Sequence, residues 1–497
     1  MNKRSLWICS AAALAVAAAL AGCGTTTYFA GRTLPPSGLR YRVLIALQNP
    51  SPISAGSMPF VDAFYDIRYH YNSTTTSAAF SIGAFTGSLP ITIQNMPEEQ
   101  VGAVYSSGSG GYTIINYATE SANGGAVSGL NGGSSSIFIS RSRGYVVAAS
   151  QSSSEVTVLN RNTTGGNYAF DLPGVYRVSM DPGGSIALIF VQNSNYLYYL
   201  RQLSSAQTLT YSGGPSTWPL GATDCEPQAA PAWCLFQALD PASTKANPLP
   251  LTFDRPVKAV FSADGGTAYI LNCGPECGGT AASVTPMPVA PMIFLQGQAS
   301  GTLPSTTTPN VHCGTVNLAA GCIPIPGGAS NALVESSLMY VAGQKPQQVS
   351  GQTLFTGNLT VVNLTADTAS APVPISDGAP GAMSRMIEAD NNTLWIGMTK
   401  CINGVRVATG QPYGCLTMVN ITNPASPTAT ILPYIGDATG IAAITGLSKV
   451  YTAEGGQVYI HSTVDGSYID NSNVTMTGTV YDVAYMDAIS DSDNTVY

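Results

Sequence analysis

From about residue 40 to the C-terminus, short runs of alternating apolar and polar residues recur, each broken by a turn carrying Asp, Asn or Gly. Four copies are clear: YRVSMDPGGSIALIFV (176 to 191), VKAVFSADGGTAYILN (257 to 272), SRMIEADNNTLWIGMT (384 to 399) and VYDVAYMDAISDSDNTVY (480 to 497). Each reads as a strand, a turn and a second strand rich in β-branched and aromatic residues. Weaker copies are IFISRSRGYVVAAS (137 to 150), ALVESSLMYVAG (332 to 343) and AAITGLSKVYTAEG (442 to 455). In the clear copies Asp181, Asp264 and Asp390 are expected to cap their own turn amides while glycine takes positive φ. None of these turns has the D-x-D-x-D-G spacing of a calcium loop.

A second half of the unit follows in EVTVLNRN (155 to 162), CLFQALDPAST (234 to 244), NLTVVNLTADT (358 to 368), CLTMVNITNPAS (415 to 426) and QVYIHSTVDGS (457 to 467). These read as third strands, with fourth strands in NYAFDLP (167 to 173) and ATILP (429 to 433). Four antiparallel strands per unit make the blade of a β-propeller. The expected fold is therefore all-β, one propeller domain over residues 40–497, with long insertions near 204–233 and 277–328. The count is seven blades, or eight if AVYSSGSGGYTIINYA (103 to 118), which falls out of step with its successor, is a blade of its own. The last copy ends after its second strand, so YRVLIAL (41 to 47) and FVDAFYDIRYHY (60 to 71) are expected to complete that blade and close the ring, removing open sheet edges.

The first residues, MNKRSLWICSAAALAVAAALAGC, join a basic start to an apolar run too short to span a bilayer, which is a secretory signal peptide over residues 1–22. Its end resembles the lipobox of bacterial lipoproteins, and that resemblance makes Cys23 the lipidated first residue of the mature chain. Residue 24 is Gly rather than Asp, which by the same resemblance points to the outer membrane, on either its periplasmic or its exposed side. Residues 23–39 are rich in Thr, Gly and Pro and read as a flexible tether.

Loss of Lys3 and Arg4 with the leader takes the formal charge from −8 to −10, which argues against nucleic acid as a partner because phosphate neutralisation dominates such binding. Eight cysteines remain in the propeller region, an even number in an oxidising compartment, and they fall as sequence neighbours. The expected disulfides are Cys225 with Cys234, Cys273 with Cys277, Cys313 with Cys322, and Cys401 with Cys415. A zinc site needs four converging ligands, and His70, His312 and His461 are scattered, so no metal is expected. The C-x-x-x-C spacing of Cys273-Gly-Pro-Glu-Cys277, without a surrounding βαβ pattern, argues against a redox pair.

The segment VFSADGGTAYI (260 to 270) resembles the repeat of YVTN-type and lactonase-like propellers of bacterial envelopes, and at the level of the repeat that resemblance spans most of residues 40–497. No lactonase catalytic residue maps onto a position here. The chain holds no G-x-S-x-G, H-E-x-x-H, P-loop or G-x-G-x-x-G pattern. The adjacent carboxylates Glu98 and Glu99 read as a solvated turn after Pro97. Trp218 and Trp233, in the first insertion, are either contacts for a sugar or partner side chain or local packing around Cys225 and Cys234; Trp395 alternates with core positions.

Three of the four predicted staples fall in the connection from second to third strand, hence on one face of the propeller. That face is either a stiffened recognition surface or a set of protease-guarded loops. The functional expectation is an envelope-anchored, non-catalytic binding or scaffold module, without cofactor, presenting this face to a protein or glycan and touching the membrane through its lipid alone. The alternative is a hydrolase of lactones or sugars with polar groups in the central channel. An enzyme using a quinone or metal cofactor is disfavoured by the acidic, histidine-poor composition.

Overall fold

The computed structural model describes residues 27–28, 32–49, 56–69 and 79–489, the last apart from 131–132, 141–143, 161–165, 182, 241–242, 290–321, 350, 377–382, 402–412 and 434. Cys23, the signal segment, His70, His312 and Cys313 lie outside the described residues. The described residues form nine antiparallel sheets, eight of them in a ring as an eight-bladed β-propeller and the ninth a short pairing of Thr27–Tyr28 with Arg32–Thr33. Numbered in chain order, blade 1 is Pro90–Met96, Val101–Ser106, Gly111–Asn116 and Ser121–Ser128, from the channel outward. Blade 2 follows at Ser134–Ile139, Tyr145–Ser150, Glu155–Asn160 and Asn167–Asp171. The innermost strands of blades 3 to 7 are Val175–Met180, Pro256–Phe261, Asn331–Glu335, Met383–Ala389 and Ala438–Ile444.

Blade 8 closes the ring. Its innermost strand, Thr479–Tyr485, pairs with the N-terminal strand Arg42–Gln48, which pairs in turn with Phe60–Asp62. Phe80 and Ile82 then bond to Phe60 and Met58 as an outer edge. The expected closure between chain ends holds, but the C-terminal copy supplies one described strand where two were expected, residues 490–497 lying outside the described set. The clasp is ionic at its centre. Arg42, 1% exposed, grips Asp487 through Nε (3.0 Å) and Nη2 (2.6 Å), and its Nη1 reaches Tyr117 O (2.7 Å) and Glu120 Oε1 (2.8 Å) in blade 1.

Ring closure is also written in the core. Among the described residues eight hydrophobic clusters appear, each shared by two neighbouring blades, including one between blades 8 and 1. One strand therefore serves two clusters. Val43, Ile45 and Leu47 face blade 7, while Leu44 and Ala46 face blade 1, because successive side chains of a strand point to opposite faces. Trp395 follows the same rule as fully buried core, its indole N–H donating to Thr393 Oγ1 at 3.0 Å.

Several expectations need correction. The blade count is eight, the second of the two counts expected; what changes is that segment 103 to 118 is the second and third strands of blade 1 rather than a first hairpin, which is why it fell out of step. In blade 3 the third strand is Leu197–Gln202, so Trp233–Gln237 is fourth and Ala222–Glu226, drawn from the expected insertion, is a fifth strand outside it. That insertion also holds a helix, Ser205–Tyr211, opened by a capping box in which Ser204 and Gln207 satisfy each other's backbone N–H. The expected insertion 277–328 contains the third and fourth strands of blade 4, Ser283–Pro288 and Ile323–Pro324. Within the stretch read as a tether, Arg32 donates to Pro97 O (2.6 Å) and Ser37 N to Glu120 Oε2 (2.9 Å), so its end is tied to blade 1.

Candidate functional site

The innermost strands share an irregularity near their starts. In seven blades one extra residue is bulged out of the ladder: Ile91, Ser135, Tyr176, Val257, Ser384, Thr439 and Tyr481. A bulge frees backbone groups from the ladder and re-aims the next side chain. Those next residues, with Asn331 at the matching place in blade 5, make a ring around the channel: Thr92, Ser136, Arg177, Lys258, Asn331, Arg385, Gly440 and Asp482. Blades 3, 4 and 6 thus each place a cation there, in a chain whose formal charge is −8.

Side chains at and beside the ring lace several blades to their neighbours. Arg385 Nε donates to the bulged carbonyl of Thr439 (2.6 Å), Arg177 Nη1 to that of Val257 (3.4 Å), and Ser135 Oγ to that of Tyr176 (2.6 Å). Asp482 Oδ2 accepts from Ile93 N (2.8 Å) and Ser136 Oγ from Val178 N (3.2 Å). Lys258, 3% exposed, donates from Nζ to Asn331 Oδ1 at 2.6 Å. Burial, then the nearby Arg177 and Arg385 guanidinium groups, hold its ammonium pKa well below the ordinary lysine value. The three cations therefore lie close enough to feel one another.

The channel opens into a cavity of about 290 Å³ whose walls include Thr92, Gln94, Ser136, Arg177, Arg385 and Thr439. Its described lining mixes aliphatic and aromatic side chains, Ile91, Ile137 and Phe138 among them, with hydroxyl, amide and cationic groups, and has neither carboxylate nor histidine. Such walls can hold an anion or a polyhydroxylated molecule. They do not bring together the paired carboxylates and histidine by which a hydrolytic channel would be recognised. The one described histidine, His461, lies on the third strand of blade 7, buried against Glu454 Oε1 at 2.9 Å.

The start of each innermost strand lies beside the end of the second strand, so the cation positions share one mouth with the second-to-third-strand connections. Cys273–Cys277 follows the second strand of blade 4 directly, with Cys273 N bonded to Arg255 O (2.9 Å). Cys401–Cys415 links the second and third strands of blade 6, and Thr399, two residues before Cys401, lines the cavity. The third expected staple is elsewhere. Cys225 and Cys234 are directly opposite each other on the outermost hairpin of blade 3, away from the mouth. Cys322 is disulfide-bonded, its expected partner Cys313 lying outside the described residues. The disulfides belong to an oxidising compartment, and among the described residues no helix is long and apolar enough to cross a membrane.

Trp218 and Trp233 are buried, 8% and 2% exposed, Trp233 meeting Tyr145 edge-on at 4.8 Å. Both pack blade 3 against its neighbours. Among the turn aspartates, Asp181 and Asp264 cap their own turns. Asp390 instead accepts from Gly446 N and Ser448 N of the blade 7 turn, both at 2.8 Å. Sequence reasoning missed the cationic ring although a signal was present: in YRVSM, VKAVF and SRMIE the basic residue holds the same place.

No family model and no curated protein matches the sequence. Among solved structures the chain is similar to the hydrazine synthase of Kuenenia stuttgartiensis, at 12% identity over 80% of this chain and 99% of that one, with a TM-score of 0.44. It is also similar to a 6-phosphogluconolactonase-like protein of Bacteroides fragilis, at 9% identity over 90% and 97% of the two chains, with a TM-score of 0.42. Neither likeness bears on activity; the propeller assignment rests on the strand pairing of this chain.

Proposed function

We propose that the chain is an envelope lipoprotein, anchored through Cys23, whose propeller acts as a binding module and receives its ligand or partner at the clipped mouth. The supporting observation is the coincidence there of a cavity of about 290 Å³ with the Cys273–Cys277 and Cys401–Cys415 loops. A loop that must hold its shape without a core of its own gains from a covalent clip, which removes disorder from its alternatives. An oxidising compartment and a lipid tether suit a module that meets its partner at a bilayer surface.

Crosslinking and capture from envelope membranes, using the lipidated full-length protein, tests the reading. One abundant partner is expected, with capture reduced in Cys401→Ala/Cys415→Ala protein and retained in Cys225→Ala/Cys234→Ala protein, whose clip lies away from the mouth. Loss of membrane association in Cys23→Ala is the matching result for the anchor. Failure to recover a partner, together with turnover of lactones or sugar esters by the pure protein, would replace the binding module with a hydrolase.

A further inference from the structure

A lysine with almost no exposure is rarely found without an acidic partner. Lys258 is such a residue, and its Nζ bonds a neutral amide oxygen, that of Asn331. The same Asn331, 1% exposed, leaves Nδ2 without a hydrogen-bond partner among the described residues. Gln344, also 1% exposed and on the second strand of blade 5, has no partner among them for either end of its side-chain amide. Buried polar groups left unpaired call for an occupant.

Nearby carboxylates are taken up by backbone. Asp254 accepts from Thr280 N (2.9 Å) and Ala281 N (2.6 Å), and Glu276 from Gln344 N (2.8 Å). Asp482, across the ring, accepts from Ile93 N and Val483 N. Arg177 and Arg385 stand in the cavity wall itself. The planar fork of a guanidinium matches the geometry of a carboxylate or phosphate.

Resting on the reading of the mouth as a binding site, we propose that the channel cavity binds a compact oxyanion, a molecule carrying carboxylate or phosphate, between Arg177 of blade 3 and Arg385 of blade 6. Lys258 and Asn331, on the channel strands of blades 4 and 5 between those two, lie outside the cavity lining and complete the polar arc of the ring. Bulging serves this directly: by turning the cations of blades 3, 4 and 6 toward the channel, it concentrates positive charge inside an otherwise acidic molecule. A low-dielectric cleft focuses such a field on an entering anion.

The test is calorimetric titration of the whole protein at low ionic strength with inorganic phosphate and, separately, citrate. Saturable binding of at least one is expected at one site per chain, weakening as salt rises; the tighter of the two tells phosphate from carboxylate chemistry. Arg177→Gln and Arg385→Gln should each weaken it about tenfold or more, the scale of one lost hydrogen bond to a charged group, with unchanged circular dichroism. Arg177→Lys and Arg385→Lys, which keep the charge, should lose less. Lys245→Gln, in the exposed link from blade 3 to blade 4, should bind as the parent does. Absence of saturable binding by the parent protein, or equal weakening by Lys245→Gln, would overturn the proposal. If capture of an envelope partner persists while both anions fail to bind, this inference falls and the binding module stands; anion binding without any captured partner keeps the oxyanion site and removes the partner.

Discussion

Arg42 ties three parts of the chain at the ring's seam, so replacing it by methionine tests how the propeller is held shut. The substitution keeps the apolar stem of the side chain and removes the guanidinium. It leaves Asp487, 1% exposed, and Glu120, 8% exposed at its side chain, facing each other in the seam without their cation. Tyr117 O loses its donor at 2.7 Å. Removing one partner of a buried ion pair costs about 3 to 5 kcal/mol, because the remaining charge stays desolvated. The Arg42 backbone N–H to Asp487 survives, so the lower half of that range is expected. Urea unfolding followed by intrinsic fluorescence measures the loss. The cause is separated from mere packing by adding Asp487→Asn and Glu120→Gln: neutralising the stranded carboxylates should restore more than half of the lost stability. Hydrogen exchange should show the opening concentrated in 42–48 and 479–485. A loss below about 1 kcal/mol, the scale of an exposed pair, or no recovery in the triple variant, would refute the seam as an ionic clasp.

Lys258→Met should raise stability at neutral pH. The lysine has a folded pKa held below its ordinary value of 10.5; its contribution is present above that value and lost as pH falls through the folded one, so the gain should vanish on approaching pH 10.5 in paired denaturation curves. Burial, with Glu388 and Glu335, pushes the Tyr340 phenol from 10.0 up to about 12, and Tyr176, Tyr211 and Tyr451 are raised as well, chiefly by burial. Stability from these groups is intact below pH 10 and should fall as pH climbs toward 12, checked by phenolate absorbance together with circular dichroism. Asp390→Ala should cost about 0.5 to 1.5 kcal/mol, because the amides of Gly446 and Ser448 exchange the carboxylate for water, seen as faster exchange in the blade 7 turn. Cys273→Ala/Cys277→Ala should cost about 2 kcal/mol and Cys401→Ala/Cys415→Ala about 3, following loop length, measured by thermal unfolding under non-reducing conditions.

The alternating runs and their turns determined on their own that the chain is built of four-stranded units, and the match between its two ends determined closure. Both are local statements: period-two alternation, β-branched composition and turn chemistry act within about a dozen residues. What needed the tertiary structure was pairing across distance. Segment 234 to 244 has the composition of any blade strand, and only its ladder to Leu197–Gln202 makes it fourth rather than third. That reassignment moved Cys225 and Cys234 from the mouth to the rim. Asp390 looks like a turn cap in one dimension and bridges two blades in three. The cationic ring depends on the same distinction. A basic residue third in a strand signals nothing alone, because a strand can show either side; the repeated bulge and eightfold closure turn Arg177, Lys258 and Arg385 inward together, and the field they make exists only once the circle has brought them near.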